Sequence, residues 1–130
     1  MNTTKTQTIV WPTLMYADAR GAIRFLVDVL GFVETAVYGE GDLVEHAELA
    51  WPGGGGIMLG SSRPESDCQL PVGVGSIYVV IDNPDELYDR VVKADATITR
   101  ELRDEDYGSR GFTCRDPEGV FWNFGTYGGA

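Results

Sequence analysis

The sequence predicts an α+β domain built from two βαβββ modules, each a curved mixed sheet with a concave crevice on one side and its helix on the convex side. Three observations predict it. The order strand, helix, three strands occurs twice along 130 residues, and internal repetition is a strong fold-level signal. The two helix starts, at Asp18 and Asp82, lie 64 residues apart. A Ser- and Pro-containing stretch without period separates the halves. The chain therefore divides into a first module over about 8–60, a linker over 61–74 and a second module over about 75–127, together one domain over 1–130.

Each element has a local reason. Residues 1–7 are polar and predict a frayed end. Thr8 to Tyr16 is rich in β-formers, and Pro12, which donates no hydrogen bond, marks an edge or bulge within it. Asp18 is suited to cap a helix, and Ala22, Ile23, Leu26, Val29 and Leu30 give that helix one apolar face. Gly31 is a C′ stop. Strands follow over Phe32 to Tyr38, Asp42 to Trp51 and Gly56 to Leu59, split by glycine turns. The second half begins with a strand over Ser76 to Ile81. Asp82 or Asn83 then caps a helix that opens on Pro84 and faces the core with Leu87, Tyr88, Val91 and Val92. Strands over Thr97 to Leu102, Gly111 to Arg115 and Val120 to Tyr127 complete it.

Composition excludes several partners. Twenty acidic against ten basic residues give a formal charge of -10, which disfavours nucleic acid and anionic membrane surfaces and favours neutral or cationic small molecules. No stretch approaches the ~20 apolar residues of a membrane helix, and no signal-peptide pattern opens the chain. Cys68 and Cys114 are expected to be free thiols. These features together predict a cytoplasmic protein.

Specific segments carry a resemblance. Leu14-x-Tyr16-x-Asp18-x3-Ala22-Ile23-x-Phe25 followed by Leu30-Gly31-Phe32 resembles the opening of a vicinal-oxygen-chelate module. Ser76 to Asp82 with Leu87-Tyr88 resembles the opening of a second. Tyr107-Gly108-Ser109-Arg110, then Asp116-Pro117-Glu118-Gly119 and Trp122-Asn123-Phe124, is similar to the closing strands of the bleomycin-resistance-like branch of the glyoxalase, bleomycin-resistance and dioxygenase superfamily. The Asp-Pro-Glu-Gly segment is also a turn in its own right.

The resemblance implies metal ligands at four strand positions, which here hold Trp11, Met58, Ser76 and Asn123. None is a His or a carboxylate, the donors such divalent metals need, so no metal and no other cofactor are expected. By strand alternation Trp11, Thr13, Met58, Ser76, Tyr78, Phe121 and Asn123 should line the concave face, with Tyr38 and Trp51 flanking it. The resemblance places Tyr107 and Arg110 on a loop at its mouth. Alternation also puts Val44, His46 and Glu48 on that face. His46 and Glu48 read either as an acid–base or ligand-binding pair or as a polar cross-strand pair. Trp122 and Phe124 read as core. No nucleophile elbow, triad or phosphate loop is present.

The expectation is a small-molecule binding protein that sequesters a planar aromatic or large apolar, neutral or cationic ligand in a homodimer crevice, without catalytic residues. The alternative is a lyase or isomerase of the same superfamily with a non-standard site around His46 and Glu48.

Overall fold

A computed structural model describes residues 8–64 and 70–130. The first half contains β1 (Thr13–Tyr16), α1 (Ala19–Phe25), β2 (Val33–Tyr38), β3 (His46–Ala50) and β4 (Gly56–Ser61). The second contains β5 (Ser76–Val80), α2 (Pro84–Lys93), β6 (Thr97–Asp104), β7 (Arg110–Arg115) and β8 (Phe121–Gly125). Each half makes one mixed four-stranded sheet, in the orders β1-β4-β3-β2 and β5-β8-β7-β6. The first strand of each half runs parallel to the last, and the remaining neighbours are antiparallel. The two halves thus share one topology, as the repeat predicts.

Local chemistry sets the helix ends. The Asp18 carboxylate accepts from the Gly21 amide at 3.0 Å. Of the two candidate caps for α2 it is Asn83 that serves, its side chain accepting from the Glu86 amide. The first helix does not stay α-helical to Leu30. It widens into a π-helical turn over Leu26–Leu30, where Gly31 N and Phe32 N both donate to the Leu26 carbonyl and Gly31 closes the turn at φ 101°.

Strand alternation builds the core. Ala47 and Leu49, Ile57 and Leu59, Phe112 and Cys114, and Trp122 and Phe124 all point inward and are buried. They join both helices in one cluster, so the two sheets share a single core. Aromatic edges cross between the halves: Phe32 meets Trp122 at 5.4 Å and Trp51 meets Phe124 at 5.9 Å. Trp122 and Phe124 are core residues, with no exposed surface. Burial pushes the Cys114 thiol up to about 12, which leaves it an inert packing residue. Cys68 lies outside the described residues.

Several expectations need correction. β1 starts at Thr13 rather than Thr8, because Pro12 offers no amide hydrogen to the sheet. β3 starts at His46 rather than Asp42. Val44 therefore precedes the alternating strand and is fully buried, its amide donating to Ser61 Oγ at 2.8 Å, instead of sharing the open face with His46. Val92 is 47% exposed, because Val91, Leu87 and Tyr88 already fill the apolar side of α2. β8 ends at Gly125, two residues short of Tyr127.

One carboxylate joins the halves. Buried Asp116 accepts on Oδ1 from the amides of Glu118, Gly119 and Val120. On Oδ2 it accepts from the Tyr16 hydroxyl at 2.6 Å and the Trp122 indole at 3.1 Å. Asp116→Ala would leave both side-chain donors buried and unpaired, at about 1–3 kcal/mol each. Urea denaturation should show a loss on the order of 3 kcal/mol or more for Asp116→Ala and a smaller one for Tyr16→Phe, which removes only one donor. Equal losses would mean that the carboxylate is not the hub.

Candidate functional site

The outward face of the first sheet is ordered by strand register. Thr13 pairs with Met58 and Met58 with Glu48, which sets these three side chains in one row across β1, β4 and β3. Two residues along β3, His46 sits on the same face and pairs with Tyr38 of β2. The His46 ring nitrogen Nε2 lies 2.8 Å from Glu48 Oε2. An ionised carboxylate only accepts, so Nε2 carries the hydrogen. The Tyr38 ring stacks on the imidazole at 6.3 Å and 17°. A cavity of about 270 Å³ opens beside the pair, its wall including Thr13, Met15, Glu45, His46, Met58 and Arg63.

Trp11 lies one row beyond Thr13. Its indole N–H donates to the Thr8 carbonyl at 3.2 Å. The ring approaches Gly56 so closely that a Cβ there would stand 2.8 Å from Trp11 Cζ3 and 2.5 Å from the Leu49 carbonyl oxygen. Only glycine lets the indole lie against β4 at this point. A cleft of about 410 Å³ runs from here past Val10 and Pro12 to Tyr78 and Val80 of β5.

The outward face of the second sheet holds the other expected residues. Ser76 pairs with Phe121 and Phe121 with Arg115; Tyr78 pairs with Asn123 and Asn123 with Thr113. Phe121 is covered by the Arg115 guanidinium, 4.9 Å from the ring centroid. The Tyr78 hydroxyl donates to the Tyr127 carbonyl at 2.7 Å, and Tyr127 meets Tyr107 edge to face at 5.7 Å. Tyr78, Tyr107, Phe121 and Tyr127 are all substantially exposed.

The predicted residues thus fall into two groups rather than one wall. Trp11, Thr13, His46, Glu48 and Met58 share the first sheet, and Ser76, Tyr78, Phe121 and Asn123 the second, with the common core behind both. Trp51 packs on Phe32 and Phe124 and also lines the cleft that runs from Gly56 to Tyr78 and Val80. Arg110 is not at the mouth of a crevice. It has the alternation of buried Phe112 and Cys114, so it points to the helix side, where it meets Asp85 of α2 at 2.8 Å and Asp104 at 3.2 Å. Its hydrogen bonds to these two carboxylates hold its proton more tightly, and Arg110 in turn lowers the Asp85 carboxyl below its usual range. Sequence reasoning missed Met15 and Arg115. Both were findable, since Met15 has the parity of Trp11 and Thr13, and Arg115 that of Thr113.

The four strand positions do not suit a divalent metal. Trp11 offers only its N–H, already given to Thr8. Asn123 is engaged at both ends: its carbonyl oxygen accepts from Thr113 Oγ1 at 2.9 Å, and its amide donates to Ser76 Oγ at 2.9 Å and to the Ile77 carbonyl at 3.0 Å. Met58 supplies a soft, weak thioether. Among the described residues no three His, Cys, Asp or Glu side chains cluster as a metal would need.

The seat of Trp11 can be tested directly. Gly56→Ala should cost about 1–3 kcal/mol by overpacking. In a Trp11→Ala background part of that loss should vanish and part remain, because the Leu49 carbonyl stays in the way. Fully additive losses in chemical denaturation would show that the indole does not rest on Gly56.

Known proteins share this architecture. The sequence profile of the Glyoxalase/Bleomycin resistance protein/Dioxygenase superfamily matches residues 8–124. The uncharacterized protein Rv0887c of Mycobacterium tuberculosis (strain ATCC 25618 / H37Rv) is 30% identical over 122 residues, which span 88% of this chain and 71% of that protein. The crystal structure of TioX from Micromonospora sp. ML1 superposes with a TM-score of 0.79 at 29% identity, over 93% of this chain and 98% of TioX. The integron cassette protein VCH_CASS1 from the mobile metagenome of V. cholerae has the same fold, with a TM-score of 0.71 at 22% identity, over 97% and 99%. With two mixed four-stranded sheets, two helices and a profile match over most of its length, this chain belongs to the glyoxalase/bleomycin resistance protein/dioxygenase superfamily.

Proposed function

We propose that this protein is a metal-free binding protein of the bleomycin-resistance kind, which sequesters a planar aromatic or large apolar, neutral or cationic ligand in a crevice shared by two copies of the chain. The observation that carries the reading is the chemistry of the four strand positions: Trp11, Met58, a self-satisfied Asn123 and its partner Ser76. In place of metal donors the open faces present Trp11 and Met58 on one sheet and Tyr78 and Phe121 on the other. Aromatic and thioether groups make a wide, adaptable apolar wall. Each face is one wall only, and Val10, Val74, Tyr78 and Val80 stay 46–79% exposed in the single chain. A second copy would cover such surface and close a crevice over it. Arg110 has no part in the proposed site, since Asp85 and Asp104 engage it. The fold serves as one domain spanning the chain, and no helix of it is long and apolar enough to cross a membrane.

Three measurements test the reading. Sedimentation equilibrium at micromolar concentration should give twice the 14.2 kDa chain mass, and a clean monomer would refute the shared crevice. Elemental analysis after metal-replete expression should find no stoichiometric zinc, nickel, manganese or iron. In a thermal-shift and tryptophan-fluorescence panel, planar polycyclic compounds should raise the melting temperature. Trp11→Ala should weaken the best of them about tenfold, or ~1.4 kcal/mol, without unfolding the protein. Small polar anions as the best ligands would point to another site.

A further inference from the structure

The only imidazole of the chain stands beside a cavity. His46 Nε2 lies 2.8 Å from Glu48 Oε2, which puts the hydrogen on Nε2 when the carboxylate is ionised, and the Tyr38 ring stacks on the imidazole. Nδ1 is left with its lone pair and no partner among the described residues. His46 and Glu48 are 41% and 33% exposed, half-open toward solvent. A carboxylate behind an imidazole favours a proton arriving on the far nitrogen.

We propose, building on the function above, that His46 and Glu48 form a proton-accepting dyad that selects planar ligands bearing an acidic hydroxyl, namely phenols and hydroxy-heteroarenes. The ligand O–H donates to Nδ1. On full transfer the O–H bond breaks, the proton stays on Nδ1, and imidazolium and aryloxide remain as a pair with no further reactant. The charged groups around the pair are Glu48 on β3, the exposed Glu45 before it and Arg63 after β4, with Tyr38 of β2 stacked on the ring. Met58 supplies the ring floor. It is cross-strand to Glu48 and two residues along β4 from Gly56, on which Trp11 rests, a step of about 6.6 Å at strand rise. By register Met58, which lines the cavity with His46, stands between that cavity and the seat of Trp11 on Gly56.

The test uses 2-hydroxyanthraquinone and its methyl ether, 2-methoxyanthraquinone, as probes on the full chain. With one histidine, ¹⁵N NMR of the ring has a single pair of signals. They should show the Nε2–H tautomer in the free protein and a shift of Nδ1 on adding the hydroxy probe but not the ether. The hydroxy probe should bind at least tenfold more tightly, and the preference should vanish at any pH where the same spectrum shows the ring already protonated. His46→Phe, which keeps a ring at a half-exposed site, should abolish the preference, so that the two probes bind alike. Glu48→Gln should reduce the preference. If both probes bind equally and Trp11→Ala weakens both, the dyad proposal falls while the aromatic pocket stands. If neither binds, or Trp11→Ala affects neither, the pocket reading falls and the dyad proposal with it. A preference that survives His46→Phe, or an Nδ1–H tautomer in the free protein, also overturns the dyad.

Discussion

The Asp116 carboxylate is the constraint on which the arrangement of the two halves depends. Taking a carboxylate out of water is costly unless its lone pairs are filled, and here five donors fill them. Three come from the turn that Asp116 itself begins. The other two come from the end of β1 and from β8, one in each half. The adjacent Glu118 extends the joint, its two oxygens accepting from the amides of Ala17 and Asp18 at 2.7 Å each. The Asp-Pro-Glu-Gly turn of the second half thus holds the strand-to-helix junction of the first. Burial and the Asp116 charge push the Tyr16 hydroxyl far above its ordinary range, which favours its role as a donor to that carboxylate.

The location of the open faces follows from that joint. Because both sheets turn their inner faces to one core, their outer faces are left without cover from the same chain. The large side chains on those faces, Trp11, Met58, Tyr78 and Phe121, are exposed or half-buried, in contrast to fully buried Tyr16, Trp122 and Phe124 one residue out of phase. A domain with one core and two open outer sheet faces leaves large side chains where other molecules can reach them. Arg90 of α2 reinforces the shared core from the helix side, donating to the Asp28 carbonyl in the π-helical turn at 2.7 Å.

Much of this was legible in the sequence because the repeat and the two-residue period act over whole elements. The order of strands and helices, the Asp18 cap, the core role of Trp122 and Phe124 and the shared face of His46 and Glu48 all follow from period and capping chemistry. What sequence could not convey was set by contacts between distant residues. Val44 has the parity of His46, but a turn before β3 and a bond to Ser61 bury it. Arg110 stands in a segment that resembles a site loop, yet Asp85, 25 residues earlier, draws it to the helix side. The Asp116 turn was visible as a turn, whereas its partner Tyr16 was not, since neither composition nor spacing marks a hydrogen bond across 100 residues.

The same reasoning explains how this fold stands with non-metal residues at the four strand positions. Asn123 sits at the centre of the second sheet's open face, where an unpaired polar group would be costly. Its amide and carbonyl are matched to Thr113 on one side and to Ser76 and Ile77 on the other, which bonds β7, β8 and β5 laterally through side chains as well as backbone. On the first sheet, Met58 and the indole of Trp11 over Gly56 fill the corresponding positions with apolar volume. One face is stabilised by a closed hydrogen-bond network and the other by packing, so neither requires an ion to hold its strands. On the first face the packing leaves His46 and Glu48 half-open to solvent, 2.8 Å apart.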